Sequence, residues 1–206
     1  PYTIAEIGNS AFYNCTGLQR IELPDGLKEI PLEAFRNCAA LTEINLPRVT
    51  KISTSAFYKC SSLTSLHIPQ SVREIGNCIT AYCKNLTSLT VDENNLFYES
   101  DGNCIIKKST HTIIAGCIAS VIPQSAKTIG TLAFYGSVPE PFVIPSNIEK
   151  LECYALSMYP GKTLVIPASV TYLHYEFIDY CPNLTQITVA ENNPVYRSEG
   201  NCIIEK

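Results

Sequence analysis

Tryptophan is absent from this 206-residue chain, methionine occurs once and histidine three times. Basic residues are scarce too: 15 Lys and Arg stand against 19 Asp and Glu, a net charge of −4. That balance argues against a nucleic-acid partner, which requires a basic stripe to meet the phosphates. No uncharged run is long enough to span a bilayer, because Pro, Ser and Gly interrupt each one. Charged residues make up only 17% of the chain and hydrophobic residues 46%, so a packed core is expected rather than disorder.

Catalytic and metal signatures are missing as well. There is no His-Glu-x-x-His, no paired Cys-x-x-Cys, no Gly-x-Ser-x-Gly, no phosphate loop and no dinucleotide fingerprint. His67, His111 and His174 are scattered, and Cys78 and Cys83 have no histidine beside them in sequence. The reading is therefore not an enzyme, with no cofactor and no metal. Asp92-Glu93-Asn94-Asn95 with Asp101 offers oxygens of the kind a hard cation takes. The related stretch near the C-terminus has Ala190 and Glu199 in place of the two aspartates, which favours a solvated polar loop. Asn14, Asn85 and Asn183 head formal glycosylation sequons that arise from the repeat described next, and read as turn residues.

What the chain has is a phrase repeated seven times. An aliphatic residue is followed by Ala-Phe-x-x-Cys, a Leu, then apolar-x-apolar-Pro. It opens at Ile7, Ile30, Ile52, Ile75, Ile129, Leu151 and Leu173, at intervals of 23, 22, 23, 54, 22 and 22 residues. A fixed period in this range marks a solenoid whose coils contact only their neighbours. Residues 1–206 are thus expected to form one elongated unit.

Within each coil, Arg20-Ile21-Glu22-Leu23-Pro24 and its equivalents alternate polar and apolar residues, the pattern of a half-buried strand ended by Pro. Stacking predicts a parallel sheet from them. A second short strand is predicted at Leu27–Ile30, Val49–Ile52, Val72–Ile75 and Ile148–Leu151. The Ala-Phe corner between the strands has room only for a turn of helix or a 3₁₀ segment. Cys15, Cys38, Cys60, Cys83 and Cys181 share one repeat position and are expected to form a column of buried thiols, too parallel for disulfides. Coils five and six carry Ser137 and Tyr159 there instead, and looser packing is expected around them.

The long interval holds an extra block. Val91–Lys108 matches Val189–Lys206 at an offset of 98 residues. Two strand-like runs, Asn103–Lys107 and Thr112–Cys117, flank a polar turn and predict a β-hairpin insert at about 92–120. Cys104 and Cys117 are symmetric about its tip, leaving open a cross-strand disulfide or two reduced thiols.

The Ala11-Phe12-x-x-Cys15-x-x-Leu18, Ala34-Phe35-x-x-Cys38-x-x-Leu41 and Ala56-Phe57-x-x-Cys60-x-x-Leu63 units, each running into its aliphatic-x-aliphatic-Pro, resemble the BspA-like class of bacterial leucine-rich repeat. The resemblance implies an α/β but predominantly β solenoid, right-handed and curved. It also implies a surface or secreted location and a role in adhesion or protein–protein recognition, with a host matrix or surface protein as ligand. Pro1-Tyr2-Thr3 reads as the tail of a preceding coil and Lys206 falls mid-unit, so the chain is read as a piece of a longer protein. A structural spacer and a carbohydrate-binding module are the alternative roles.

Two surfaces are candidates for a partner. Outward strand positions present Arg20, Glu22, Glu43, Asn45, Ser65, His67, Ser88 and Thr90, continuing through Val143, Thr163, Val165, Gln186 and Thr188. Tyr13, Tyr58 and Tyr135, with Tyr82 nearby, follow the corner Phe and predict an aromatic stripe; the alternative is that each ring simply covers the next coil.

Overall fold

The alternation before each Pro, and again before each opening aliphatic, becomes two columns of short strands stacked coil on coil. The computed structural model describes residues 6–206. In the first four coils the strands are β1 (Glu29–Ile30), β2 (Lys51–Ile52), β3 (Ser65–Ile68), β4 (Glu74–Ile75) and β5 (Ser88–Val91). The inserted block adds β6 (Tyr98–Asp101), β7 (Cys104–Lys107) and β8 (Thr112–Ala115). Later coils add β9 (Thr128–Ile129), β10 (Lys150–Leu151), β11 (Thr163–Ile166), β12 (Tyr172–Leu173) and β13 (Gln186–Val189). The second block adds β14 (Tyr196–Glu199) and β15 (Cys202–Glu205).

The opening aliphatics are in register. Ile30 pairs with Ile52 and Ile52 with Ile75, all parallel, while Ile113, Ile129, Leu151 and Leu173 form a second parallel run. The other column is less regular than the sequence predicts. Among the described residues, only β3 with β5 and β11 with β13 form parallel ladders there. Residues 20–23, 43–46 and 143–144 keep the inward-outward alternation without being strands. The insert explains the main interruption. After β5, the next acceptors are side chains of the insert: Val91 N–H donates to Ser100 Oγ (2.9 Å) and Leu89 N–H to Asn103 Oδ1 (3.3 Å). Ser198 Oγ accepts from Val189 N–H in the second block (2.6 Å).

The corners correct the sequence reading, since the described residues contain no α- or 3₁₀-helix. Each of the first six coils instead has two left-handed residues four apart, such as Ser10 and Asn14 (φ 56° and 60°), Glu33 and Asn37, or Ser55 and Lys59. Between them, hydrogen bonding alternates. Ala11, Tyr13 and Cys15 N–H bond back three residues within the coil, whereas Ser10, Phe12 and Asn14 N–H reach Leu32, Ala34 and Arg36 C=O of the next coil. A 3₁₀ segment would spend every N–H inside its own coil. In these coils the left-handed residues turn every second peptide toward the neighbouring coil, which supplies acceptors for donors the corner cannot satisfy itself.

Inside the corner, Phe12, Phe35 and Phe57 stack face to face at centroid distances of 5.1 and 5.8 Å. The cysteine column is buried at Cys38, Cys60 and Cys83, whose thiols are hydrogen-bonded, whereas Cys15 is exposed and Cys181 only partly buried, against the sequence expectation. Cys38, Cys60 and Cys83 Sγ donate to Phe12, Phe35 and Phe57 C=O of the preceding coil at 3.1, 3.1 and 3.2 Å. Ser137 keeps the same bond, its Oγ donating to Thr80 C=O (3.2 Å). The looseness expected in coils five and six does not occur. Phe142 fills the space, meeting Phe134 and Tyr159 edge-on at 5.8 and 6.2 Å, and Tyr159 Oη donates to Thr163 C=O (2.8 Å).

The predicted hairpin is present as β7 and β8, and β6 extends it to a three-stranded antiparallel meander, pairing with β7 on its other edge. It divides the interior. Ile105 joins the core of the early coils, while Cys104 and Ile106 on the opposite face of β7 join the core of the later ones. Cys104 and Cys117 therefore belong to different cores, and both are free thiols. Asn95 anchors the block. Its Nδ2 donates to Pro69 and Val72 C=O (3.0 and 2.9 Å), and its Oδ1 accepts from Phe97 and Tyr98 N–H (2.9 Å each). Asn193 repeats all four bonds with Pro167, Val170, Val195 and Tyr196.

Candidate interaction surface

On the strand face, register brings Ser65 beside Ser88 and His67 beside Thr90, with His67 Nδ1 and Thr90 Oγ1 at 3.0 Å. Arg20 and Glu43 form an exposed ion pair one coil earlier. Arg20, Glu22, Glu43, Asn45, Ser65 and His67 line an open groove of about 460 Å³, with Ser88 and Thr90 outside it. Its polar groups already satisfy one another in part, and an exposed ion pair contributes little.

Beyond the insert the same face changes character. Val121, Val143 and Val165 recur every 22 residues and are 71%, 74% and 57% exposed. Pro141 and Thr163 flank them, and Val165 pairs in register with Thr188. The alternation in each segment buries Ile122, Ile144 and Ile166 beneath the surface and leaves the valines outside. Val143 and Val165 are among the outward positions read from sequence. Val121 is not, although Ser120-Val121-Ile122-Pro123 resumes the solenoid with the same Val-Ile-Pro phrase.

The tyrosines form a ridge along the corners. Tyr13 is 42% exposed; Tyr58, Tyr82 and Tyr135 are half-buried. Neighbouring rings touch, with Tyr58–Tyr82 and Tyr82–Tyr135 centroids both at 5.4 Å. Sequence reasoning missed the cations between them. Arg36 takes the tyrosine position in coil two, with its guanidinium 5.7 Å from the Tyr13 centroid and 4.5 Å from that of Tyr58. Lys59 lies 5.6 and 5.5 Å from Tyr58 and Tyr82. Burial, foremost, pushes the Tyr58 and Tyr82 phenols up. Gly136, at φ 65°, has no Cβ to strike the Tyr82 ring, which an added Cβ would meet at 2.7 Å. The ridge thus serves both readings: it covers the coils beneath and stays accessible along one edge.

Leu96 and Phe97, also missed, project from the insert at 81% and 43% exposure beside a groove of about 630 Å³ lined partly by Lys51, Arg73 and Lys107. Asp92 and Asn95, weighed above as cation ligands, have structural work instead: Asp92 Oδ1 accepts from Asn94 N–H (2.9 Å), and Asn95 is buried. Burial pushes the Cys38 thiol up to about 11 and Cys83 and Cys104 up to about 12, so these thiols stay protonated. No helix among the described residues is long and apolar enough to cross a membrane.

The fold is shared with solved bacterial proteins. A leucine-rich repeat protein from Eubacterium ventriosum aligns over 91% of this chain and 64% of its own (TM-score 0.69, 20% identity). The pneumococcal vaccine antigen PcpA aligns over 84% of this chain and 51% of its own (TM-score 0.63, 22% identity). A leucine-rich repeat protein from Bacteroides ovatus aligns over 92% and 54% (TM-score 0.56, 22% identity). The chain therefore spans between about half and two-thirds of these proteins. No curated protein matches it. The BspA-type leucine-rich repeat region, in six copies, matches residues 1–104 and 105–202. With in-register coils, the first three carrying the full Ala-Phe-x-x-Cys corner and the later ones variants of it, the chain belongs to the BspA-type leucine-rich repeat family.

Proposed function

We propose that this chain is a protein-recognition segment of a bacterial cell-surface or secreted protein, and that its partner is a host matrix or surface protein held on the later half of the strand face. The observation that carries this reading is the exposed ladder of Val121, Val143 and Val165. Aliphatic side chains at the same position of three successive coils expose a row of apolar surface, and exposed apolar surface marks interaction sites. The row bears no charge, so it suits a partner segment with aliphatic or aromatic side chains. The ion-paired groove around Arg20 and Glu43 supplies a polar flank for longer contacts. A relative in fold being a vaccine antigen is in keeping with an accessible location.

The test is binding of the purified chain to a panel of matrix proteins and glycans. A protein ligand bound by the wild type and lost on Val143→Glu, but kept by the Tyr13/Tyr58/Tyr135 triple alanine variant, supports the proposal. Loss with the tyrosine variant alone would move the site to the ridge. Binding to glycans only would support the carbohydrate reading, and binding to nothing would leave the spacer reading.

A further inference from the structure

One cysteine outside the column and the insert meets a histidine and a carboxylate across a coil boundary. Cys153 follows the opening of coil six; His174 and Glu176 follow the opening of coil seven. One donor atom from each side chain lies within 4.8 Å of the other two, and Cys153 Sγ is 3.7 Å from Glu176 Oε2. All three are partly buried. The sites of attachment are fixed by backbone bonds between the coils: His174 N–H to Leu151 C=O (2.9 Å) and Tyr154 N–H to Glu176 C=O (2.7 Å). The His174 ring is held against Tyr175, with centroids 4.5 Å apart.

Charge makes the cluster unusual. Glu176 has no Lys or Arg partner among the ion pairs of the described residues. A thiol, an imidazole and an uncompensated carboxylate facing one another are short of a cation.

We propose that Cys153, His174 and Glu176 form a divalent-metal site of the zinc type. Sulfur, nitrogen and oxygen donors in one cluster match that ion's ligand preferences, and three protein ligands leave a fourth position for water or another donor. Metal–ligand lengths of about 2.0–2.3 Å place tetrahedral donors roughly 3.3–3.5 Å apart. The Cys153–Glu176 separation is already near that, and closing the rest takes side-chain rotation of about an ångström. On binding, the Cys153 thiol loses its proton to solvent and Sγ bonds the metal as thiolate. His174 Nδ1 accepts Glu176 N–H (3.1 Å), so the neutral ring carries its proton on Nε2. The metal takes the Nδ1 lone pair in exchange for that contact.

The test is titration with Zn(II) and, as a spectroscopic probe, Co(II). The background is Cys15→Ser/Cys202→Ser, which removes the two exposed thiols. One equivalent of Co(II), a thiolate-to-cobalt charge-transfer band and its displacement by Zn(II) are expected. Cys153→Ser abolishes the band. His174→Gln and Glu176→Gln, which keep the fold-bearing backbone bonds, each weaken binding by more than the roughly 10–100-fold typical of an outer-shell change. Absence of the band in the background protein, or its persistence in Cys153→Ser, overturns the proposal. So does unchanged affinity in both His174→Gln and Glu176→Gln, with circular dichroism confirming that each variant is folded.

Discussion

Phe12, Phe35 and Phe57 lie nearly parallel, at 3° and 7°, whereas Phe134, Phe142 and Tyr159 meet at 63° and 65°. The two halves of the solenoid share a backbone and differ in how they fill it. Early coils keep one residue type per position, so identical side chains stack as ladders of Phe and Cys. Later coils break that identity at Ser137 and Tyr159 and recover density with Phe142, a ring from outside the corner. The strand face differs too: polar and charged before the insert, uncharged after it, with exposed Val121, Val143 and Val165 among Thr163, Gln186 and Thr188. The insert is the physical boundary, because β7 gives one side chain to the first core and two to the second. Once coils are in register, the lesson is that backbone bonding carries the architecture and leaves the side chains of each half free to specialise.

Phe57→Ala should break the comparison hardest. The ring is fully buried in the early ladder, and its loss should cost about 3–5 kcal/mol in urea unfolding. Because coils contact only neighbours, amide exchange should quicken in β1, β2 and β4 and stay at wild-type rates in β10 and β12. Equal acceleration in both halves would mean that the insert does not divide the interior. Asn95→Ala comes next. It strands buried donors that Asn95 now satisfies, at about 1–3 kcal/mol, and the same change at Asn193 tests whether the second block is anchored as firmly. Cys60→Ala should cost about 1 kcal/mol for its lost hydrogen bond and volume, and Cys60→Ser less, since Ser137 already makes the equivalent bond. Denaturant midpoints for the pair would separate these outcomes.

The smallest effect is electrostatic. Ser53 Oγ donates to Glu29 (2.6 Å), and with Lys51 it holds the Glu29 carboxyl below its ordinary value. A depressed carboxyl stabilises the fold above its unfolded pKa, and the contribution fades as pH falls through the folded one. Ser53→Ala should move the Glu29 titration upward, as read by side-chain NMR.

The period and the inward alternation were legible in the sequence, because burying an aliphatic every coil leaves a fixed signature. The corners were not. Asn and Gly favour left-handed backbone, yet Ser10, Glu33, Lys59 and Leu132 adopt it as well, held by bonds to the next coil rather than by their own preference. β6 was missed because Tyr98-Glu99-Ser100-Asp101 is polar, its pairing with β7 being non-local. Outward strand residues could be named, and Val-Ile-Pro recurs at 121–123, 143–145 and 165–167, but how far each valine projects from the surface was not legible. Cys153, His174 and Glu176 come from two coils, so no linear spacing announces them.

The central claim is that recognition belongs to the later, uncharged half of the strand face. Hydrogen exchange of the chain alone and with a protein ligand found in the binding panel tests it most directly. The account predicts protection at residues 119–122, 141–144 and 163–166, with 20–22 and 43–45 little changed. Protection confined to the early strands, or to the corner ridge of Tyr13, Tyr58 and Tyr135, would contradict it.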